Sequence, residues 1–157
     1  MLTAIDVIYR DGEVIGFCNQ TQYHKSGALC TLVCGLPGSI HFRFCNPSGS
    51  SEKVIEPMGR QRIQLLLSCR DRLLLMQEKT LEIKRDDAGF QLLRIDDLNI
   101  NTPEMQSCLQ ASNLEHDPEQ RGKVDCEFSV AILVPDDNCR MQLFFTLPVT
   151  VKNHPAA

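Results

Sequence analysis

The chain has no apolar run long enough to cross a bilayer and no overall basic charge. It also has no glycine-rich phosphate loop, GxSxG nucleophile turn or HExxH zinc motif. Each absence removes a class of function. A net charge of −4 gives the surface no general attraction for a polyanion, so nucleic acid is not an expected partner, and neither is a membrane. The opening stretch MLTAIDVIYR lacks a basic leader and places Asp6 where an export signal needs apolar residues, which predicts a cytosolic protein. No internal repeat has a usable period.

What is present suits one folded domain over residues 1–157. Hydrophobic residues make up 43% and charged residues 23%, and 157 residues can bury a core without disulfides or metals. The eight cysteines are scattered, and in a reducing compartment they are expected to be free thiols filling apolar space.

Most of the chain reads as hairpins. Asp11-Gly12 joins AIDVIY to VIGFCNQT, because both central residues of a type I′ turn need positive φ. ALCTLVC and SIHFRFC flank Gly35-Leu36-Pro37-Gly38, which predicts a second hairpin with Gly38 in the positive-φ place. Asn46 to Ser51 reads as a mobile surface loop. Residues 60–79 fit either a helix or two strands turning at Cys69-Arg70-Asp71-Arg72, and the balance favours strands because Arg70 would lie on the apolar face of the helix. TLEIKR and FQLLRI flank Asp86-Asp87-Ala88-Gly89. Val124 to Val134 and Cys139 to Val151 alternate about Pro135-Asp136-Asp137-Asn138, giving a long hairpin with one apolar face. One main helix is expected at 103–113, with Thr102 as cap, Pro103 in the first position, and Met105, Cys108, Leu109 and Ser112 on one side. The fold class is therefore α+β and β-dominated: antiparallel hairpins in a curved sheet, sandwich or partly closed barrel.

The densest chemistry is Cys30-x3-Cys34-x6-His41-x3-Cys45. In the expected hairpin register Cys34 faces His41 and Cys30 faces Cys45. The two pairs then lie about 13 Å apart, too far for one zinc ion. Two smaller readings survive: a reducible Cys30–Cys45 bridge, and a Cys34/His41 thiol–imidazole pair for a thiol-dependent enzyme or redox sensor. Asp97-x-Asn99-x-Asn101 begins like a calcium loop but has Thr102 at the sixth position and Cys108 at the twelfth, so it reads as strand end and helix cap. Asp86-Asp87 and Asp136-Asp137 are turn residues, and His24, His116 and His154 lie in polar segments. No metal or other cofactor is expected.

Charge is uneven. Lys53 to Arg85 carries eight basic residues against four acidic ones, whereas Asp86 to Glu119 carries eight acids against Arg94 alone. Together with the apolar C-terminal hairpin, this predicts a non-enzymatic regulatory or protein–protein interaction module. Arg70, Arg72, Lys84 and Arg85 are its partner-binding candidates, and its partner is another protein or a second copy of itself. A barrel lined by the alternating apolar faces and holding a small molecule is the other alternative.

Overall fold

A computed structural model describes residues 2–20, 29–56, 58–133 and 141–153. It shows a β-dominated fold with one α-helix among these residues. Nine strands form a single nearly closed, barrel-shaped sheet. In chain order they are β1 (Leu2–Arg10), β2 (Glu13–Asn19), β3 (Cys30–Val33), β4 (Gly38–Cys45), β5 (Gly59–Cys69), β6 (Arg72–Arg85), β7 (Gln91–Leu98), β8 (Lys123–Leu133) and β9 (Met141–Lys152). The helix, α1 (Pro103–Ser112), lies between β7 and β8. Around the sheet the order is β2-β1-β4-β7-β6-β5-β8-β9-β3.

Local turn chemistry accounts for three hairpins, and a fourth is defined by its strand pairing. Asp11 (φ 51°) and Gly12 (φ 86°) are both left-handed, as a type I′ turn between twisted strands requires. β5 and β6 turn at Arg70-Asp71, which makes residues 60–79 two strands. β6 and β7 turn at Asp86–Gly89, where the Asp86 carboxylate accepts from the Ala88 and Phe90 amides. β8 and β9 pair from Lys123↔Lys152 to Leu133↔Met141. Their inner face carries Val124, Cys126, Phe128, Val130 and Ile132 opposite Leu143, Phe145, Leu147, Val149 and Val151, all buried. Ala131 and Ser129 are buried on the other face too. The turn residues 135–138, with Asp136 and Asp137, lie outside the described residues, as do His24, His154 and Cys139.

The expected hairpin between Cys30 and Cys45 does not form. β3 pairs in parallel with β9 (Cys30↔Val149), while β4 lies between β1, in parallel, and β7, antiparallel. A turn is present, but two residues earlier, over Val33–Leu36: Gly35 and not Gly38 takes the positive φ, at 89°, and the Leu36 amide donates to the Val33 carbonyl at 3.2 Å. The chain uses that turn to leave one side of the sheet for another. β4 buries Ile40, Phe42 and Phe44 completely and gains flanking strands on both edges, with Ile5 and Val7 on one side and Leu93 and Ile95 on the other. Pairing with a four-residue β3 alone would leave one β4 edge open.

β6 and β7 pair only from Ile83↔Leu93 to Arg85↔Gln91. Beyond that point other groups link the two segments. The Lys79 ammonium donates to the Asp96 carbonyl at 3.2 Å, and the Thr102 hydroxyl donates to the Leu74 carbonyl at 2.7 Å. The same hydroxyl accepts from the Met105 amide at 3.1 Å, so the N-cap of α1 is also its attachment to β6. Met105 and Leu109 are buried in the core below. The Asn46–Ser51 segment contains a side-chain turn about Asn46. Further along, the buried Gln91 side chain accepts from the Val54 and Ile55 amides and donates to the Ile55 carbonyl.

Candidate functional site

The residues singled out from sequence are dispersed by this topology. The Cys34 thiol contacts the Ile100 carbonyl at 3.5 Å and the Asn101 side-chain oxygen at 3.6 Å, and it accepts from Gln106. His41 sits between the buried Ile40 and Phe42, so it points to the opposite face of β4, where its ring faces the Asp96 carboxylate at 3.4 Å. The thiol–imidazole pair is not assembled. Cys30 is in the core, where burial pushes its thiol up to about 12 from 9.0, and Cys45 is buried elsewhere with its thiol toward the Val7 carbonyl. β3 and β4 are not neighbours, so the cross-strand Cys30–Cys45 bridge is not formed either. Both readings depended on the hairpin register, which tertiary pairing replaces.

Of the basic candidates, Arg70 and Arg72 lie at one end of β6 and Lys84 and Arg85 at the other, roughly 40 Å apart at the rise of a strand. Arg85 holds the 46–51 loop by donating to the Ser51 carbonyl at 2.9 Å and to the Gly89 carbonyl. Lys84 pairs with Glu82 at 3.6 Å. Arg72 donates to the Cys108 sulfur at 3.8 Å. Thr102 caps α1, and the Asn101 side chain accepts from Gln106, so the calcium-like stretch serves the helix. Among the described residues no three His, Cys, Asp or Glu side chains converge as metal ligands. No described helix is long and apolar enough to cross a membrane.

A different feature emerges at the gap in the barrel. β2 pairs only with β1, and β9 pairs with β3 only over Val149–Lys152. The edge of β2 from Glu13 to Cys18 and the edge of β9 from Met141 to Leu147 therefore carry no ladder partner among the described residues. They face each other across a groove of about 410 Å³ whose lining includes Glu13, Val14, Phe17, Gln142, Leu143 and Phe145. Side chains alone join the two strands: Phe17 and Phe145 have ring centroids 5.9 Å apart. Phe145 also meets Phe42 at 5.2 Å and Phe44 at 6.1 Å, so aromatic rings occupy this side of the sheet interior.

Two properties set this seam apart from an ordinary sheet edge. Natural edges are usually blunted by charge, proline or a bulge. Here the ladder shifts register at Ile15 in β2 and at Gln142 in β9, but charge is scarce: β2 carries Glu13 as its one charged residue, and Met141 to Leu147 carries none. Large apolar side chains also stand exposed beside it, with Ile15 at 53%, Met141 at 58% and Phe144 at 47%. Direction matters as well. From β2 round to β9 the sheet makes six antiparallel steps and one parallel step, so β2 and β9 run the same way. One strand running opposite would pair antiparallel with both.

The sequence pattern pointed to the apolar character of the C-terminal hairpin but not to this seam. Edge status depends on which strands are neighbours, and the alternation in β2 looks like that of any other strand.

No family model matches the chain, and no curated protein is detectably similar to it. Among solved structures, the N-terminal domain of phage TP901-1 ORF48 is 12% identical over 97% of this chain and 95% of that one, with a TM-score of 0.39. A likeness of that degree assigns no function.

Proposed function

We propose that this chain is a non-enzymatic protein-interaction module of the cytosol that accepts an extended segment of another protein between β2 and β9. The observation that carries the reading is the pair of facing, codirectional strand edges with Glu13 as their one charged residue. Strand addition uses main-chain hydrogen bonds for affinity and alternate side chains for specificity. Phe17, Leu143 and Phe145 would receive the inward side chains of such a segment, and Ile15, Met141 and Phe144 would flank the outward ones. A segment of five or six residues with alternating apolar positions fits the free length of β9.

The test is a photo-crosslinking residue at Gln142, irradiated in an extract of the producing cell, with the adduct identified by mass spectrometry. The expected result is an adduct with another polypeptide, lost when Ile15→Lys and Phe144→Lys place charge on both edges, and retained when Arg70 and Arg72 are changed to Glu. An adduct that persists through both lysines would overturn the reading. So would slow amide exchange along Val14–Phe17 and Met141–Phe145 in the isolated chain, since it would mean the seam is already filled. An adduct of twice the chain mass would assign the seam to a second copy.

A further inference from the structure

A second cavity, of about 620 Å³, opens where the β5–β6 turn, α1 and the start of β8 meet. It is independent of the seam. Cys69, Cys108, Arg70 and Arg72 are among its lining residues, as is Asp125, the neighbour of the buried Cys126. The ladder between β5 and β8 runs in unbroken register from Arg62↔Leu133 to Ser68↔Glu127. The next position therefore sets Cys69 opposite Cys126. Both side chains are on the inner face, two residues beyond the buried pair Leu67 and Phe128. Directly opposed residues of antiparallel strands have Cα atoms about 4.5–5.5 Å apart, within the range a disulfide spans. The Cys126 thiol donates to the Val124 carbonyl at 3.7 Å, and the two thiols are near enough for each to shift the other's proton affinity. Cys69 is half-buried on the cavity wall and Cys126 is buried, so Cys69 is the sulfur a small molecule can reach. Burial, with Cys108 adding to it, raises the Cys69 thiol above its ordinary value, the Arg70 guanidinium offsets part of that rise, and the Arg72 guanidinium reaches Cys108 on the opposite wall.

We infer that Cys69 and Cys126 form an oxidisable dithiol whose co-reactant is a small hydroperoxide entering this cavity. The Cys69 thiolate attacks the terminal peroxide oxygen. The O–O bond breaks, Cys69 becomes a sulfenic acid, and the leaving alkoxide or hydroxide takes a proton from water. The Cys126 thiol then gives up its proton and attacks the Cys69 sulfur, forming the S–S bond as hydroxide leaves and is protonated to water. In sum, two thiols lose two electrons and the peroxide is reduced to an alcohol, or to water in the case of hydrogen peroxide, with one further water. Cys108 stands across the cavity on α1 and is not part of the bridge.

The test treats the reduced native chain with an equimolar amount of hydrogen peroxide and maps peptides without reduction. The expected product is 2 Da lighter, links the Cys69 and Cys126 peptides, and is restored by dithiothreitol. Cys108→Ser should leave that bridge intact. Cys126→Ser should leave a sulfenic acid on Cys69 that a dimedone probe traps. Should Cys126→Ser fail to fold, the wild-type map decides alone. A Cys69–Cys108 bridge, or oxidation confined to the exposed Cys18, would overturn the inference.

Discussion

The ring of Phe17 in β2 lies 5.9 Å from that of Phe145 in β9, tilted by 49°, where the two strands exchange no ladder hydrogen bond. Aromatic packing thus stands in for backbone pairing on one side of the barrel. Phe145→Ala removes three ring contacts from a buried site and should cost about 3–5 kcal/mol in denaturant unfolding. Phe17→Ala should cost less, because Phe17 is only half-buried. A double-mutant cycle should return a coupling of about 0.5–1.5 kcal/mol between the two rings. Additive effects would show that the rings do not hold the seam.

Gln91 is fully buried and serves three backbone groups of residues 54–55. Gln91→Leu keeps the approximate volume but leaves those groups without partners, so a loss of roughly 2–4 kcal/mol is expected. Amide exchange of Val54 and Ile55 should accelerate more than that of β8. Uniform acceleration would argue for general loosening rather than release of the 46–58 segment.

Thr102 makes two bonds with one hydroxyl, accepting from Met105 and donating to Leu74. Thr102→Ala should destabilise by about 1–2 kcal/mol, at the upper end for an N-cap because a tertiary bond is also lost. Thr102→Ser should restore most of the stability. Thr102→Asp keeps an acceptor for the helix but cannot donate when ionised, so it should fall between them in thermal melts.

Burial pushes the Cys30 and Cys126 thiols up to about 12 from 9.0, with the neighbouring Cys69 and Cys108 adding to the effect at Cys126. The folded chain therefore holds these protons where the unfolded chain has released them. The resulting stability is fully present below pH 9 and is lost as pH rises from 9 to 12, by up to about 4 kcal/mol for each thiol. Unfolding midpoints should fall across that window, and Cys30→Ala should flatten the decline. An unchanged midpoint from pH 9 to 11 would contradict this origin.

Much of the architecture was legible in the residues because its causes are local. Asp11-Gly12 can take positive φ at both places, the turns at Arg70-Asp71 and Asp86–Gly89 lie between apolar runs, and Thr102-Pro103 begins a helix whose Met105 and Leu109 face the core. Period-two alternation in β8 and β9 settled their inner face, since a strand presents successive side chains to opposite sides. The sulfur-rich stretch shows where that reasoning stops. Gly35 turns the chain as a hairpin would, yet β3 joins β9 and β4 joins β1 and β7, so Cys34 and His41 part company. The choice of strand partner, the open seam beside Phe17 and the opposition of Cys69 to Cys126 were decided by tertiary structure alone. They depend on how nine apolar faces close round one core, a long-range condition that no short window of residues contains.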